Sequence, residues 1–192
     1  MEKLDVLAIC GSAREESLNR ALLRAAQDLA GDPVTVEVWD DYAHLPRLDA
    51  TRGRPFPVTV SALRERVAAA DVLLFVTPEL NRSIPGGLKD VVDWLSILAP
   101  PRPLVGKPVA LMSASPQRFG GAFAQLELAE FLRRAGAEVI TDLNVAIGSA
   151  HRFLDNGVLV GEEPLREIAE LWQKVLGRLG KAEQKAEQKV ST

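Results

Sequence analysis

The chain has 192 residues, enough for one well-buried core and too few for two enzyme domains joined by a linker. Hydrophobic residues at 47% and charged residues at 26% argue against a disordered or membrane-spanning chain. A net charge of −3 argues against nucleic acid or an anionic membrane as partner, because both need clustered Lys and Arg.

Leu4 to Cys10 is a mostly apolar, partly β-branched run that stops at Gly11, as a central parallel strand covered on both faces would. Cys10, the one cysteine, cannot form an internal disulfide and reads as a small core residue. The loop Gly11 to Glu16 leads to Ser17, a helix N-cap. Leu18, Leu22, Ala25, Ala26 and Leu29 then recur at helical spacing up to Gly31. Val34 to Trp39 alternates like an edge strand. Asp40 to Pro57, with Gly53 and three prolines, reads as a long loop, and long loops tend to be functional.

Val60 to Ala70 reads as a helix. Asp71 to Val76 is the strongest buried-strand signal and stops at Thr77-Pro78. The loop Glu79 to Pro85 and a helix from Gly86 to Leu98 follow. After the prolines at 100, 101 and 103, Pro108 to Met112 is a third core strand, entered through a proline. A Ser- and Gly-rich loop from Ser113 to Gly121 precedes a helix from Ala122 to Ala135 that ends at Gly136. Glu138 to Leu143 is a fifth strand, followed by irregular structure around Gly148 and Asn156-Gly157. Pro164 to Leu179 is a last amphipathic helix. Residues 1–180 are expected to form a single domain. The tail 181–192 repeats a Lys-Ala-Glu-Gln unit with nothing to bury and reads as frayed or disordered, although Glu/Lys pairs could extend the helix.

Alternating strands and helices imply an α/β fold with a parallel sheet between two helical layers. Five strands with right-handed crossovers can be wound in the order 2-1-3-4-5, giving a three-layer sandwich with a ligand site beyond the carboxyl ends of the central strands. The loops at those ends are 11–17, 77–85 and 113–121. In the first, a strand-to-helix turn supplies backbone N–H groups and a helix N-terminus, and Ser12, Arg14 and Ser17 add side-chain donors, a cradle for a phosphate monoester. No P-loop lysine and no Gly-x-Gly-x-x-Gly is present, which disfavours nucleoside triphosphate hydrolysis and a standard dinucleotide fingerprint. In the second, prolines stiffen a ribbon that can offer N–H and C=O groups to a flat heterocycle. Glu79 reads as a general base or, more simply, as a surface carboxylate. His44 and His151 are isolated, so no metal site is expected, and no Ser-His-Asp arrangement stands out.

Four segments together resemble the NAD(P)H-dependent FMN reductase family, the flavodoxin-like quinone, azo and chromate reductases. They are Gly11-Ser12-x-Arg14-x-x-Ser17-x-Asn19, Pro78-Glu79-x-Asn81-x-Ser83-x-Pro85-Gly86-x-Leu88-Lys89-x-x-x-Asp93-Trp94, Gly106-Lys107-Pro108-Val109 and Gly120-Gly121-Ala122-x-x-Gln125. The resemblance implies FMN as bound cofactor, with its phosphate at Ser12, Arg14, Ser17, Leu18 and Asn19. It places the isoalloxazine ring against Pro78, Glu79, Leu80 and Asn81, and Ser113 and Ser115 on the loop that closes over it. NADPH or NADH is implied as a transient co-substrate that passes hydride to the flavin, which reduces a quinone, free flavin, azo compound or chromate in a ping-pong reaction without a catalytic residue from the protein. The rival reading is a flavodoxin-like FMN-binding electron carrier served by a partner protein.

Leu80 stands where the family usually has Tyr, and Leu126-Glu127-Leu128-Ala129 lacks the Tyr/His and Arg often found after Gln125, so tetramer contacts made in relatives are in question. The helix carrying Asp93 and Trp94 resembles one that pairs subunits, implying a homodimer, with a tetramer as the alternative. Trp94 as plain core is the competing reading. A small-molecule acceptor, no nucleic acid, no membrane and a cytoplasmic location complete the expectations.

Overall fold

The computed structural model describes residues 3–39, 41, 44–49 and 54–190, with only the backbone for 180–190. Asp40, Gly53 and the last two residues of the expected tail lie outside these. Five parallel strands, β1 (Leu4–Cys10), β2 (Val34–Trp39), β3 (Val72–Val76), β4 (Pro108–Ala114) and β5 (Glu138–Ile147), form one sheet in the order β2-β1-β3-β4-β5. The helices are α1 (Leu18–Leu29), α2 (Val58–Ala69), α3 (Gly86–Ser96), α4 (Ala122–Arg134) and α5 (Glu162–Val190). The flavodoxin-like arrangement expected from the sequence is the one observed.

Side-chain alternation on the strands builds two cores. Val6, Ala8 and Cys10 of β1 face α1 and α5, where Leu22, Ala26, Ile168 and Trp172 pack. Leu7 and Ile9 face α2, α3 and α4 through Leu63, Val67, Leu88, Leu95 and Leu128. Because both faces are covered, β1 and β3 read as unbroken apolar runs. Cys10 is buried, as expected. Trp172 ties α5 to α1 by donating from Nε1 to the Ala26 carbonyl at 2.8 Å.

Two helix ends are closed by cations from other elements. The Arg64 guanidinium is buried and donates to the carbonyls of Trp94 (2.6 Å), Ala99 (2.6 Å), Pro101 (2.6 Å) and Ile97 (3.3 Å), while Phe56 lies 4.9 Å beneath it. A cation from α2 thus satisfies the orphan carbonyls at the end of α3 and meets its negative dipole end. Burial, and secondly the nearby Arg54, lowers the Arg64 pKa from its ordinary value. Lys107, part of the Gly106-Lys107-Pro108 motif, donates to the carbonyls of Ala68 (3.2 Å) and Ala70 beyond the end of α2. Its pKa is lowered by burial, against an opposing pull from Asp71.

Three sequence expectations are corrected. The fifth strand does not stop at Leu143: after a register shift against β4 it resumes and runs to Ile147. The stretch around Asn156-Gly157 is not irregular but a two-stranded hairpin, β6 (Leu154–Asp155) and β7 (Val158–Leu159), whose turn residues both have positive φ. Asn-Gly is the favoured pair for such a turn. Trp94 is 1% exposed within the single chain and donates from Nε1 to the Pro46 carbonyl at 2.5 Å, so it is core and pins the 44–49 segment. The backbone of α5 runs as helix to Val190.

Candidate functional site

The carboxyl ends of β1, β3 and β4 open into a cleft of about 600 Å³. Its walls come from the three loops: Ser12, Arg14, Ser17, Leu18 and Asn19 from the first, Pro78, Glu79 and Leu80 from the second, and Ala114, Ser115 and Pro116 from the third. The size falls within the range of pockets that hold one small molecule.

The first loop is shaped by close approach. A Cβ on Gly11 would stand 3.1 Å from both Pro78 Cδ and Leu88 Cδ2, so a larger residue would push the first and second loops apart. Ser17 caps α1, its Oγ accepting from the Asn19 N–H at 3.2 Å. Arg20 holds the turn from below, Nε donating to the Ser12 carbonyl at 3.1 Å. Among the described residues, the N–H groups of residues 12–16 donate to no backbone carbonyl, and Arg14 is exposed with no hydrogen-bond or ion-pair partner. Donors left open at a helix N-terminus form an anion cradle.

Asn19 serves the frame. Its amide makes a peptide-like pair with Ala114, Nδ2 donating to the carbonyl and Oδ1 accepting from the N–H, each at 2.9 Å. With both polar atoms so engaged and the residue 2% exposed, Asn19 fixes the start of α1 to the end of β4.

In the second loop, Leu80 and Ser83 exchange both backbone hydrogen bonds at 2.9 Å around Asn81 and Arg82, whose φ values are 52° and 61°. Two positive φ values in a two-residue turn define type I′, a turn that favours Asn followed by Gly. Leu80 reaches the cleft, 55% exposed, whereas Asn81 is exposed but does not line it. Glu79 turns its carboxylate to α4, Oε2 accepting from the N–H groups of Phe123 (3.1 Å) and Ala124 (3.3 Å). The N-cap of α4 is Gly121, which has no side chain to offer, so Glu79 supplies the anion for that helix start from 44 residues away. This role replaces the surface or general-base readings of Glu79.

Ser113 does not line the cleft. β4 extends to Ala114, which places Ser113 inside the strand and fully buried. Its hydroxyl donates to the Gly120 carbonyl at 2.6 Å and accepts from Gln125 Nε2 at 2.6 Å, closing the third loop on itself. Gln125 also donates to the Val145 carbonyl at 2.8 Å, which explains why this motif residue sits beneath the loop. Ser115 does line the cleft, its Oγ accepting from the Gln117 N–H at 3.1 Å. The loop rests on β5 with little clearance: a Cβ on Gly148 would stand 2.1 Å from the Arg118 carbonyl oxygen. Sequence reasoning overlooked Ala114 and Pro116 as lining residues, because neither carries a polar group that marks a site.

A family model described as NADPH-dependent FMN reductase matches residues 4–152. The quinone reductase of Escherichia coli is 41% identical over 133 residues, covering 68% of this chain and 70% of that protein. An NAD(P)H-dependent FMN reductase of Pseudomonas aeruginosa is 36% identical over 168 residues, covering 87% and 90%. Among solved structures, the flavoenzyme NAD(P)H:acceptor oxidoreductase FerB from Paracoccus denitrificans superposes with a TM-score of 0.83 at 27% identity, covering 93% of this chain and 98% of that one.

Proposed function

The chain belongs to the NADPH-dependent FMN reductase family, and from that premise we propose that the cleft holds FMN and that the protein passes electrons from NAD(P)H to a quinone, free flavin or a related acceptor. One observation carries this reading: the open donors of residues 12–16, the stiff Pro78–Leu80 ribbon and the Ser115 wall converge on one cleft at the switch point of the sheet. The residues present fit the cofactor. A phosphate monoester finds N–H groups, the Ser12 and Ser17 hydroxyls and the unpaired Arg14 guanidinium, and a flat ring finds Pro78, Leu80 and backbone edges of the second loop. Leu18 and Pro116 supply apolar wall.

Bound FMN would supply the two-electron chemistry between the nicotinamide donor and the acceptor. The chain's own residues do the holding. Arg14 neutralises the phosphate, Ser12 and Ser17 donate to it, and Asn19 keeps the cradle in register with β4. Glu79 fixes the ribbon to α4, and Leu80 contributes an apolar surface where an acceptor would lie. Backbone contacts to the ring are insensitive to the change from Tyr to Leu at that position, so cofactor retention and acceptor choice separate between residues. Asn81 would serve through its backbone, as its position at the turn supports.

Residues 1–180 are best read as one domain, supported by the single five-stranded sheet and its two flanking cores, with the 181–192 tail apart from it. A homodimer is the assembly the resemblance favours. With Trp94 inside the protomer, pairing over α3 would use outward residues such as Lys89 and Asp93, which are bonded to each other at 2.5 Å and partly exposed. Among the described residues no helix is long and apolar enough to cross a membrane. The single, buried cysteine is consistent with the cytoplasmic site of action proposed here.

The test is direct. The purified protein should be yellow, and its flavin absorbance should bleach anaerobically on addition of NADPH, then return with a simple quinone and no partner protein. A protein that neither takes up FMN nor oxidises NADPH would overturn the reading. Bleaching without turnover unless a second protein is added would favour the electron carrier.

A further inference from the structure

The lip of the cleft beyond the second loop carries four side chains in one continuous stack. Arg82 lies over the Phe123 ring at 4.9 Å, Phe123 meets Phe119 edge to face at 5.7 Å, and Arg118 lies 5.8 Å from the Phe119 ring centre. Phe119 is 59% exposed, and neither guanidinium meets a carboxylate among the described residues. Arg82 also occupies the second turn position, with φ of 61°, where the backbone favours glycine. A side chain held in that region is strained, and strain of this kind gathers at ligand clamps.

We propose that this stack is the docking site for the adenosine 2′-phosphate half of the nicotinamide donor and makes the protein prefer NADPH to NADH. The proposal rests on the reading of the cleft as an FMN site. If FMN fills the cleft, the nicotinamide would meet the ring from solvent, where Leu80 is exposed, and the rest of the donor would extend across an outer lip. The lip at the phosphate loop carries the exposed carboxylates Glu15 and Glu16, and a phosphate already held by that loop's N–H groups would repel a second one there. The opposite lip offers an exposed aromatic face for adenine and two unpaired guanidiniums for the 2′-phosphate. Guanidiniums already oriented by stacking on rings lose little freedom when they bind an anion, and their fork matches a phosphate's oxygens. Glu79 holds the Phe123 backbone while Arg82 covers its ring, so the lip is fixed to the same ribbon that would carry the flavin.

The experiment compares two fragments lacking nicotinamide, adenosine 2′,5′-bisphosphate and ADP, titrated calorimetrically into the protein as isolated. The wild type should bind the 2′-phosphorylated fragment about tenfold tighter, as two charge-assisted contacts at an exposed lip allow. Arg82→Gln and Arg118→Gln should each erode that preference, and Phe119→Ala should weaken both fragments by about fivefold or more through lost stacking. Arg82→Gly, which relieves the turn, should behave like Arg82→Gln and so separates charge from backbone strain. In turnover, the NADPH-to-NADH ratio of kcat/KM should fall about tenfold in the double variant Arg82→Gln/Arg118→Gln. Equal affinity of the wild type for both fragments, or an unchanged ratio in the double variant, overturns the proposal. So does a rise confined to the KM of an anionic quinone, which would assign the lip to the acceptor. A colourless protein that still discriminates the fragments would instead remove the FMN reading and leave the phosphate preference of the lip standing.

Discussion

If the cleft holds FMN as proposed, Arg14 is the residue on which cofactor retention would turn most simply. It stands exposed at the cradle rim with no partner among the described residues, so its removal disturbs no internal contact. Arg14→Ala should weaken FMN by about 1.5 kcal/mol, the lower end for a charge-assisted hydrogen bond because the guanidinium remains near water. Riboflavin, which lacks the phosphate, should bind the variant as it binds the wild type, and fluorescence titration of both ligands checks this. Ser12, Ser17, Pro78 and Leu80 could be read from the sequence as cleft residues because strand-to-loop transitions announce where a parallel sheet opens. Asn19 and Glu79 could be recognised as site residues but not for what their side chains do, and Ser113, expected on the loop that closes the cleft, is buried inside β4. Asn19 and Glu79 are joined to groups far along the chain, at Ala114 and Phe123, and such pairings have no local pattern, whereas Ser113 bonds within its own loop, at Gly120.

Among elements, α3 depends on a cation it does not own. Arg64→Met would keep most of the volume and remove every donor to the carbonyls of Trp94, Ala99 and Pro101. Leaving those buried acceptors unpaired should cost about 3–5 kcal/mol, seen as a lower denaturant midpoint with an unchanged slope. The sequence hid this staple because an arginine on an apolar helix face reads as solvent-facing. Helix α5 has the opposite fault, an unfavourable charge. Burial first, then Glu163 and Glu170, raise the Glu167 pKa, with Arg166 opposing. Its folded pKa lies above the unfolded value, so the folded state binds the proton more tightly and stability falls as pH rises from about 4.3 through the raised pKa. Glu167→Gln should remove that slope and stabilise the protein at pH 7 by about 0.5 kcal/mol, as relief of like-charge neighbours on a helix allows, measurable as Tm against pH for both proteins.

For the molecule as a whole, the helix layers followed from pattern, because a doubly covered parallel sheet leaves uninterrupted apolar runs that alternation cannot mimic, while the strand order was one the pattern allowed and the family resemblance implied. The β6–β7 hairpin and the resumed half of β5 did not, since two-residue strands and a strand broken by a register shift give periodicity too little length. The cleft is made by three loops on three strands, so a ligand in it adds to the few direct contacts that tie those loops together. FMN at about one hundred times its Kd should stabilise the fold by about 2.7 kcal/mol, raising Tm by about 5–10 °C for a chain of this length. A thermal shift that is large with FMN and small with riboflavin would place most of that gain in the phosphate cradle.

The bond from Glu79 to the start of α4 gives the cleft a built-in reporter. The amide protons of Phe123 and Ala124 are held by a carboxylate that belongs to the Pro78–Leu80 ribbon, so their exchange with solvent follows the ribbon's motion and not only that of their own helix. Occupation of the cleft should slow exchange at these two positions well beyond that at Leu128, one turn further on. The ligand can then be followed at a backbone it never touches.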